Sequence, residues 1–465
     1  MNYFISTVGW GWYKKILFFL MVVVVFFVQY CVFEYSVSYS HYIVVLLLNF
    51  GLILSLLFIC LQYSSMNDFL FSSGFWYSVV IVFYIILKSL SMLDYGEALI
   101  PSLVMVLVFN FFYIFGFFFT KRKKNGIKKK IVVFNDFKLT TFCFFVFVLF
   151  KVLIIFLMVL FAGDASTILE QSAATQNQGM AYLFRLSAFS TIAYYYLVYF
   201  YYTQKKFGRI VFILTLFIFV ESIYSASRLQ LVMLAFIHLF MFHRFVRPVS
   251  VVTLLIVSPL LIFIISYFGY VRNIEIGGVD VYKKAFEFVI NDSSIIYDLF
   301  MARLDVLPMM VESIKLYDYG EIKNLWGGSY VYSILHFIPR GIWSDKPLLT
   351  AAYVTSHVYP NSFVDGVNIF PSVFIESFIN LNYLGVCLIG LLIGSSSKIY
   401  DQYLDGTRPL VFIWALLFFT YPMGIVNEGV HSNYVANVLY FSFLYLVFIV
   451  MAKKYGVFKV HNLRV

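Results

Sequence analysis

Charged and hydrogen-bonding side chains are scarce in this chain, so chemistry must be sought in the few short segments where they gather. The segment HFIPRGIWSDKP (336–347) sets Arg340, Trp343 and Lys346 among Pro339 and Pro347. Proline fixes φ, and the two prolines stiffen the segment into a turn that presents two cations and an indole. Such a pair suits a diphosphate, because the planar arginine fork bonds two oxygens at once and the lysine adds a point charge. Trp343 reads either as an anchor at a membrane surface or as a platform for a sugar ring.

Three further segments carry candidates. ESIYSASRLQ (221–230) is a tight polar turn between apolar runs, with Glu221 near one helix end and Arg228 at the start of the next. The two fit an ion pair that staples the hairpin; alternatively Arg228 fits an anionic lipid headgroup, assisted by the N–H groups of a helix start. In FPSVFIESFINLNYLGV (370–386), Glu376 and Asn380 stand one helical turn apart and share a face. Glu376 either pairs with an arginine or, unpaired and desolvated, serves as a general base. In NEGVHSNY (427–434), Glu428 and His431 suit a proton-handling pair or an ordinary helix cap. His336 and His357 are expected on the same outer side. Lys88, Lys151 and Arg185 are further charges in apolar surroundings. A mid-span charge costs roughly 2.5–3.5 kcal/mol on insertion scales, so Lys151 is expected to pair within the bundle.

No CxxC, HExxH, GxSxG or Walker pattern occurs, nor an outward acidic pair that would hold a metal. Neither metal nor cofactor is expected. Cys31, Cys60, Cys143 and Cys387 fall in apolar runs without ligand spacing and read as small core residues.

The elements that must position these residues follow from composition. The 465 residues are 62% hydrophobic and 12% charged, with a mean hydropathy of +0.90, whereas soluble domains are about a quarter charged. Runs of about twenty apolar residues recur, the length of helix that crosses ~30 Å of hydrocarbon. The fold class is therefore all-α, a polytopic membrane protein with about twelve spans. They are expected at 16–33, 42–63, 75–92, 99–119, 139–162, 182–203, 209–225, 229–246, 249–270, 378–397, 409–426 and 433–452. The first reads as an uncleaved anchor.

Basic residues orient this bundle. Lys14, Lys15, the run 121–130, Lys205, Lys206, Arg209, Arg244, Arg247, Lys398, Arg408, Lys453 and Lys454 all fall on one face if there are twelve spans. The connections 34–41, 93–98, 163–181 and 427–432 carry no Lys or Arg. Both termini are then cytoplasmic. The net charge of +10 is mostly this bias and gives no reason to expect nucleic acid; the run 121–130 reads as a solvated loop near anionic lipid. The organisation is a single membrane domain: nine spans over 1–270, a long outer-face connection over 271–377, and three spans with a cytoplasmic tail over 378–465. The connection contains the amphipathic stretches VYKKAFEFVI (281–290) and LFMARLDVLPMMVESI (299–314), and its length marks it as a lid or binding element.

The order of these features resembles the Wzy-type polymerases of O-antigen and capsule repeat units. The resemblance rests on Ser-x-Ser-Arg opening a span at Arg228, on Ile338, Pro339, Arg340, Trp343, Lys346 and Pro347 at the end of a large outer loop, and on Glu376 after it. The run Asn382, Tyr383, Leu384, Gly385 fits the following Asn-Phe-Gly element more loosely. The resemblance implies a GT-C-like membrane glycosyltransferase of the bacterial cytoplasmic membrane with an outward-facing site. Its substrate would be undecaprenyl-diphosphate-linked oligosaccharide, its surroundings membrane lipid, and a chain-length regulator (polysaccharide copolymerase) its expected partner. Arg228 and Arg340 would hold the donor diphosphate, Lys346 or Arg303 would assist, and Glu376 or His431 would act as base. A lipid-linked oligosaccharide flippase is the alternative transporter reading, although it needs no long one-sided loop. An O-antigen ligase is the closer alternative, handling the same carrier.

Overall fold

The computed structural model describes residues 40–63, 69–120, 130–162, 185–205, 208–224, 228–250, 306–335, 347–364, 371–404, 408–418 and 436–462, with single positions between 253 and 287, at 338, 342, 343 and 345, and at 369. The elements are α1 (Ser40–Cys60), α2 (Ser73–Val80, prolonged by a π-helical stretch Ile81–Leu87 and the turn Lys88–Ser91), α3 (Ile100–Phe119), β1 (Lys130–Phe134), α4 (Asp136–Ala162), α5 (Ala188–Thr203), α6 (Arg209–Tyr224) and α7 (Arg228–Met241). They continue with α8 (Val306–Asp318), α9 (Gly328–Ile334), α10 (Thr350–Val358), α11 (Val373–Tyr403), α12 (Pro409–Leu417), α13 (Ala436–Tyr455) and β2 (Phe458–Asn462).

Helices dominate, as the composition requires of a chain solvated by lipid. Among the described residues six helices are long and apolar enough to cross a membrane: α1, α2 with its extension, α3, α4, α11 and α13. The expected spans at 182–203, 209–225 and 229–246 correspond to the shorter helices α5, α6 and α7. The span at 16–33 lies outside the described residues, as do most of 249–270 and the second half of 409–426. Where it is described, the long connection is helical rather than open loop, forming α8, α9, α10 and the short helix Pro360–Val364. The basic run 121–130, expected as loop, ends in a strand: Lys130 opens β1.

The chain divides into two compact units. Unit 1 comprises 1–123, 303–402 and 420–438; unit 2 comprises 124–302, 403–419 and 439–465. In unit 1, polar side chains tie α1, α2 and α3 together. Asn110 Nδ2 donates to Ser55 Oγ at 3.1 Å, Tyr77 donates to Asn110 Oδ1, and Ser89 Oγ donates to Asn49 Oδ1 at 3.0 Å. Between helices in lipid, such bonds and close packing replace the hydrophobic drive available in water. The Tyr77 and Tyr113 rings stack with centroids 3.9 Å apart. Helices α3 and α11 touch backbone to backbone. A Cβ on Gly394 would sit 1.9 Å from the Tyr113 carbonyl oxygen, and one on Gly116 would sit 2.2 Å from that of Leu391. Gly390 and Gly394 supply the four-residue small-residue spacing that permits this approach.

Unit 2 holds an ion pair between two of its helices. Lys151 Nζ lies 2.7 and 2.6 Å from the two oxygens of Glu221, and Gln230 Nε2 donates to Glu221 at 3.2 Å. The pairing expected of Lys151 is present, and its partner is the acid that the sequence reading set against Arg228. His238 Nε2 meets Tyr194 Oη at 2.8 Å and its Nδ1 meets Tyr202 Oη at 3.1 Å. Strands β1 and β2 pair antiparallel, from Lys130 opposite Asn462 to Phe134 opposite Phe458. This ribbon sets the start of α4 beside the end of α13.

Candidate functional site

Helix α11 carries Glu376 and contains its own interruption. As one rod its 31 residues would measure about 46 Å, well beyond ~30 Å of hydrocarbon. The chain breaks at Leu381 (φ −143°, ψ 22°) and Asn382 (φ 56°, ψ −151°). The Asn382 conformation is one that glycine normally occupies, at a cost of about 1–3 kcal/mol for other residues. The break leaves a half-helix over 373–380 and a second segment over 383–403 of about 31 Å, which matches a bilayer. The span expected at 378–397 is therefore displaced toward the C-terminus. Gly385 makes the turn sterically feasible, since a Cβ there would lie 2.2 Å from the Ser377 carbonyl oxygen.

The half-helix starts at Ser372, whose Oγ accepts from Ile375 N at 3.5 Å. Its far end is capped by another segment of unit 1. Leu325 N donates to Ile379 O at 2.9 Å and Gly327 N to Asn380 O at 3.1 Å, satisfying carbonyls that the break would otherwise orphan. Asn380 Nδ2 donates to the Glu376 carbonyl at 2.7 Å, while Asn380 Oδ1 accepts from Ser329 Oγ at 2.9 Å. Glu376 and Asn380 thus share a face, as their spacing predicted. Glu376 is 1% exposed. The Tyr330 hydroxyl is buried without a well-formed hydrogen bond. Burial first and the Glu376 charge second hold its phenol well above the usual range, and the Ser377 hydroxyl offsets part of that.

The capping segment is a rigid turn. Asn324 Oδ1 accepts from Trp326 N at 2.8 Å, Gly328 N donates to Leu325 O at 2.8 Å, and Trp326 and Gly327 both have positive φ (50° and 77°). The Trp326 side chain projects outward, 81% exposed. Beside the turn lies a cleft of about 380 Å³, lined by residues that include Asn324, Gly328, Ser329, Tyr332, Pro347 and Tyr353. Tyr353 Oη accepts from Lys323 N at 2.9 Å, and Trp343 meets Tyr332 edge to face at 6.0 Å. The segment 336–347 therefore reaches the cleft through Trp343 and Pro347. His357 stays on its own helix, with Nδ1 2.8 Å from the Tyr353 carbonyl.

A second carboxylate occupies the other end of α11. Asp401 accepts from Tyr63 Oη at 2.6 Å and from Ser73 N, at the start of α2, at 2.8 Å. Lys398 Nζ lies 4.4 Å from the centroid of the Phe117 ring.

Of the residues singled out in the sequence, Glu376 and Trp343 fall within unit 1, at the half-helix and at the cleft wall. Arg303, Arg340, Lys346, His336 and His431 lie outside the described residues. Arg228 opens α7, but its side chain also lies outside the description. Sequence reasoning missed Asn324, Ser329, Tyr330, Tyr332 and Tyr353. The signal for the first four was the run NLWGGSYVY (324–332), an aromatic and glycine-rich interruption between amphipathic stretches. Among the described residues no group of three or more His, Cys, Asp or Glu side chains could hold a metal ion. No family model, curated protein or solved structure matches the chain.

Proposed function

We propose that the chain is a membrane glycosyltransferase that polymerises undecaprenyl-diphosphate-linked oligosaccharide repeats at the outer leaflet of a bacterial cytoplasmic membrane. One observation carries the reading: a carboxylate, Glu376, is buried on a broken membrane helix whose cap, residues 325–329, floors a cleft that the 336–347 segment also lines. The twelve-span topology, with cytoplasmic termini and the 271–377 connection outside, belongs to this proposal.

In the reaction, Glu376 takes the proton from a hydroxyl of the incoming repeat, and that oxygen bonds to the anomeric carbon of the growing glycan. The bond from that carbon to the carrier diphosphate breaks, and the lipid diphosphate leaves with the electron pair. Arg228 and Arg340 bind the diphosphate, with Lys346 or Arg303 assisting, and stabilise the charge that builds on it. His431 is the second candidate for the base.

The test is a gel of surface polysaccharide from a strain lacking the gene. Single repeats still attached to their acceptor, without the long ladder, support a polymerase, whereas loss of every repeat supports the flippase or ligase reading. An unchanged ladder removes the proposal. Complementation assigns the residues: Arg340→Ala and Arg228→Ala shorten or abolish the ladder at equal protein level. Arg340→Lys restores only part, because a point charge replaces a fork.

A further inference from the structure

We infer that the cleft beside the capping turn binds the sugar rings of the acceptor glycan, an inference that rests on the glycosyltransferase reading. Its lining has the chemistry of a neutral, hydroxyl-rich ligand. Tyr332 and Tyr353 contribute aromatic surface against which the apolar face of a sugar ring packs, and Asn324 and Ser329 contribute polar groups. Among the described residues that line it none is charged, which suits a neutral glycan. Its volume of about 380 Å³ lies in the ~300–1,000 Å³ range of small-ligand sites and is far too small for a folded partner.

Position strengthens the assignment. Ser329 lines the cleft and also donates to Asn380, which in turn bonds the Glu376 carbonyl. A sugar seated there lies against the same short relay that fixes the half-helix bearing the proposed base. The amides of Leu325, Trp326, Gly327 and Gly328 are all hydrogen-bonded, so the floor is formed before any ligand arrives, which lowers the ordering cost of binding.

The geometry supplies a blocking variant. A Cβ on Gly328 would sit 3.5 Å from the Tyr332 ring, in ordinary contact, so Gly328→Leu fills the cleft without a backbone clash. Tyr332→Ala removes a wall instead. The probe is the free oligosaccharide released by mild acid from the host's surface polysaccharide, titrated into the purified full chain in nanodiscs and followed by tryptophan fluorescence. Wild type is expected to give a saturable change, and Gly328→Leu and Tyr332→Ala are expected to weaken it at least ten-fold with unchanged melting temperatures.

The inference is overturned if wild type does not bind the free glycan, if both cleft variants bind it normally, or if undecaprenol competes for the cleft. The two proposals separate cleanly. A strain lacking the gene that keeps a normal ladder removes the transferase reading while glycan binding in the cleft still stands. A lost ladder with normal glycan binding by both cleft variants removes only the subsite.

Discussion

Helix α11 carries one acid near each end of its length, Glu376 buried and Asp401 half-buried, and unit 1 surrounds them differently. Asp401 is held by a tyrosine hydroxyl and by a backbone amide at the start of α2, the arrangement of a carboxylate that caps a helix and joins two others. Glu376 sits where the helix is broken. Its neighbours Asn380 and Ser329 direct their hydrogen bonds to the backbone and to each other. The first acid is half-buried, whereas the second is fully buried on a half-helix whose capping turn lines a cleft. Unit 2 offers a third case in Glu221, matched directly by Lys151.

The contrast can be broken by substitution. Glu376→Gln should cut polymer synthesis by about 10²–10⁴-fold, the usual range for losing a general base, with membrane protein level unchanged; a normal polysaccharide ladder would abolish the distinction. Lys151→Met should destabilise unit 2 by about 3–5 kcal/mol by stranding the Glu221 charge, read as a lower melting temperature in detergent. Adding Glu221→Gln should recover most of that loss, and if it does not, the pair is not what the single variant disturbs. Asp401→Asn should cost about 1.5–3 kcal/mol, since a hydrogen bond to a charged group is weakened, while polymer formed per folded molecule stays at the wild-type level. A selective loss of activity would make the two acids alike. Asn382→Gly should stabilise by about 1 kcal/mol through relief of the backbone strain. That gain would sharpen the comparison by showing that the break at the Glu376 end is a maintained cost.

Much of this was legible in the sequence. The helical membrane class followed from composition, and six of the expected spans coincide with described helices long and apolar enough to cross a membrane, because apolar runs of bilayer length have few alternatives. The shared face of Glu376 and Asn380 was readable from their spacing. The break at Leu381 and Asn382 was not, because neither residue is a glycine or proline and the apolar pattern runs straight through. Only length hinted at it, since 373–403 exceeds what a membrane accommodates. The Lys151 to Glu221 pair joins residues 70 positions apart and depends on how α4 meets α6, which local pattern does not encode. The cleft was hidden for the same reason: its walls come from two stretches, 324–332 and 347–353, that meet where the Lys323 amide donates to Tyr353 Oη.

The β1–β2 ribbon has a consequence for how the molecule is made. Lys130 finds its partner Asn462 only after roughly 330 further residues have been synthesised, about 15–70 s at ~5–20 residues per second. Throughout that interval the first strand lacks its partner, while the 303–402 part of unit 1 is translated. Completion of unit 2 is thereby placed late in biogenesis, and a ribosome that stops before β2 leaves an unfinished unit whose open strand is a ready signal for quality control.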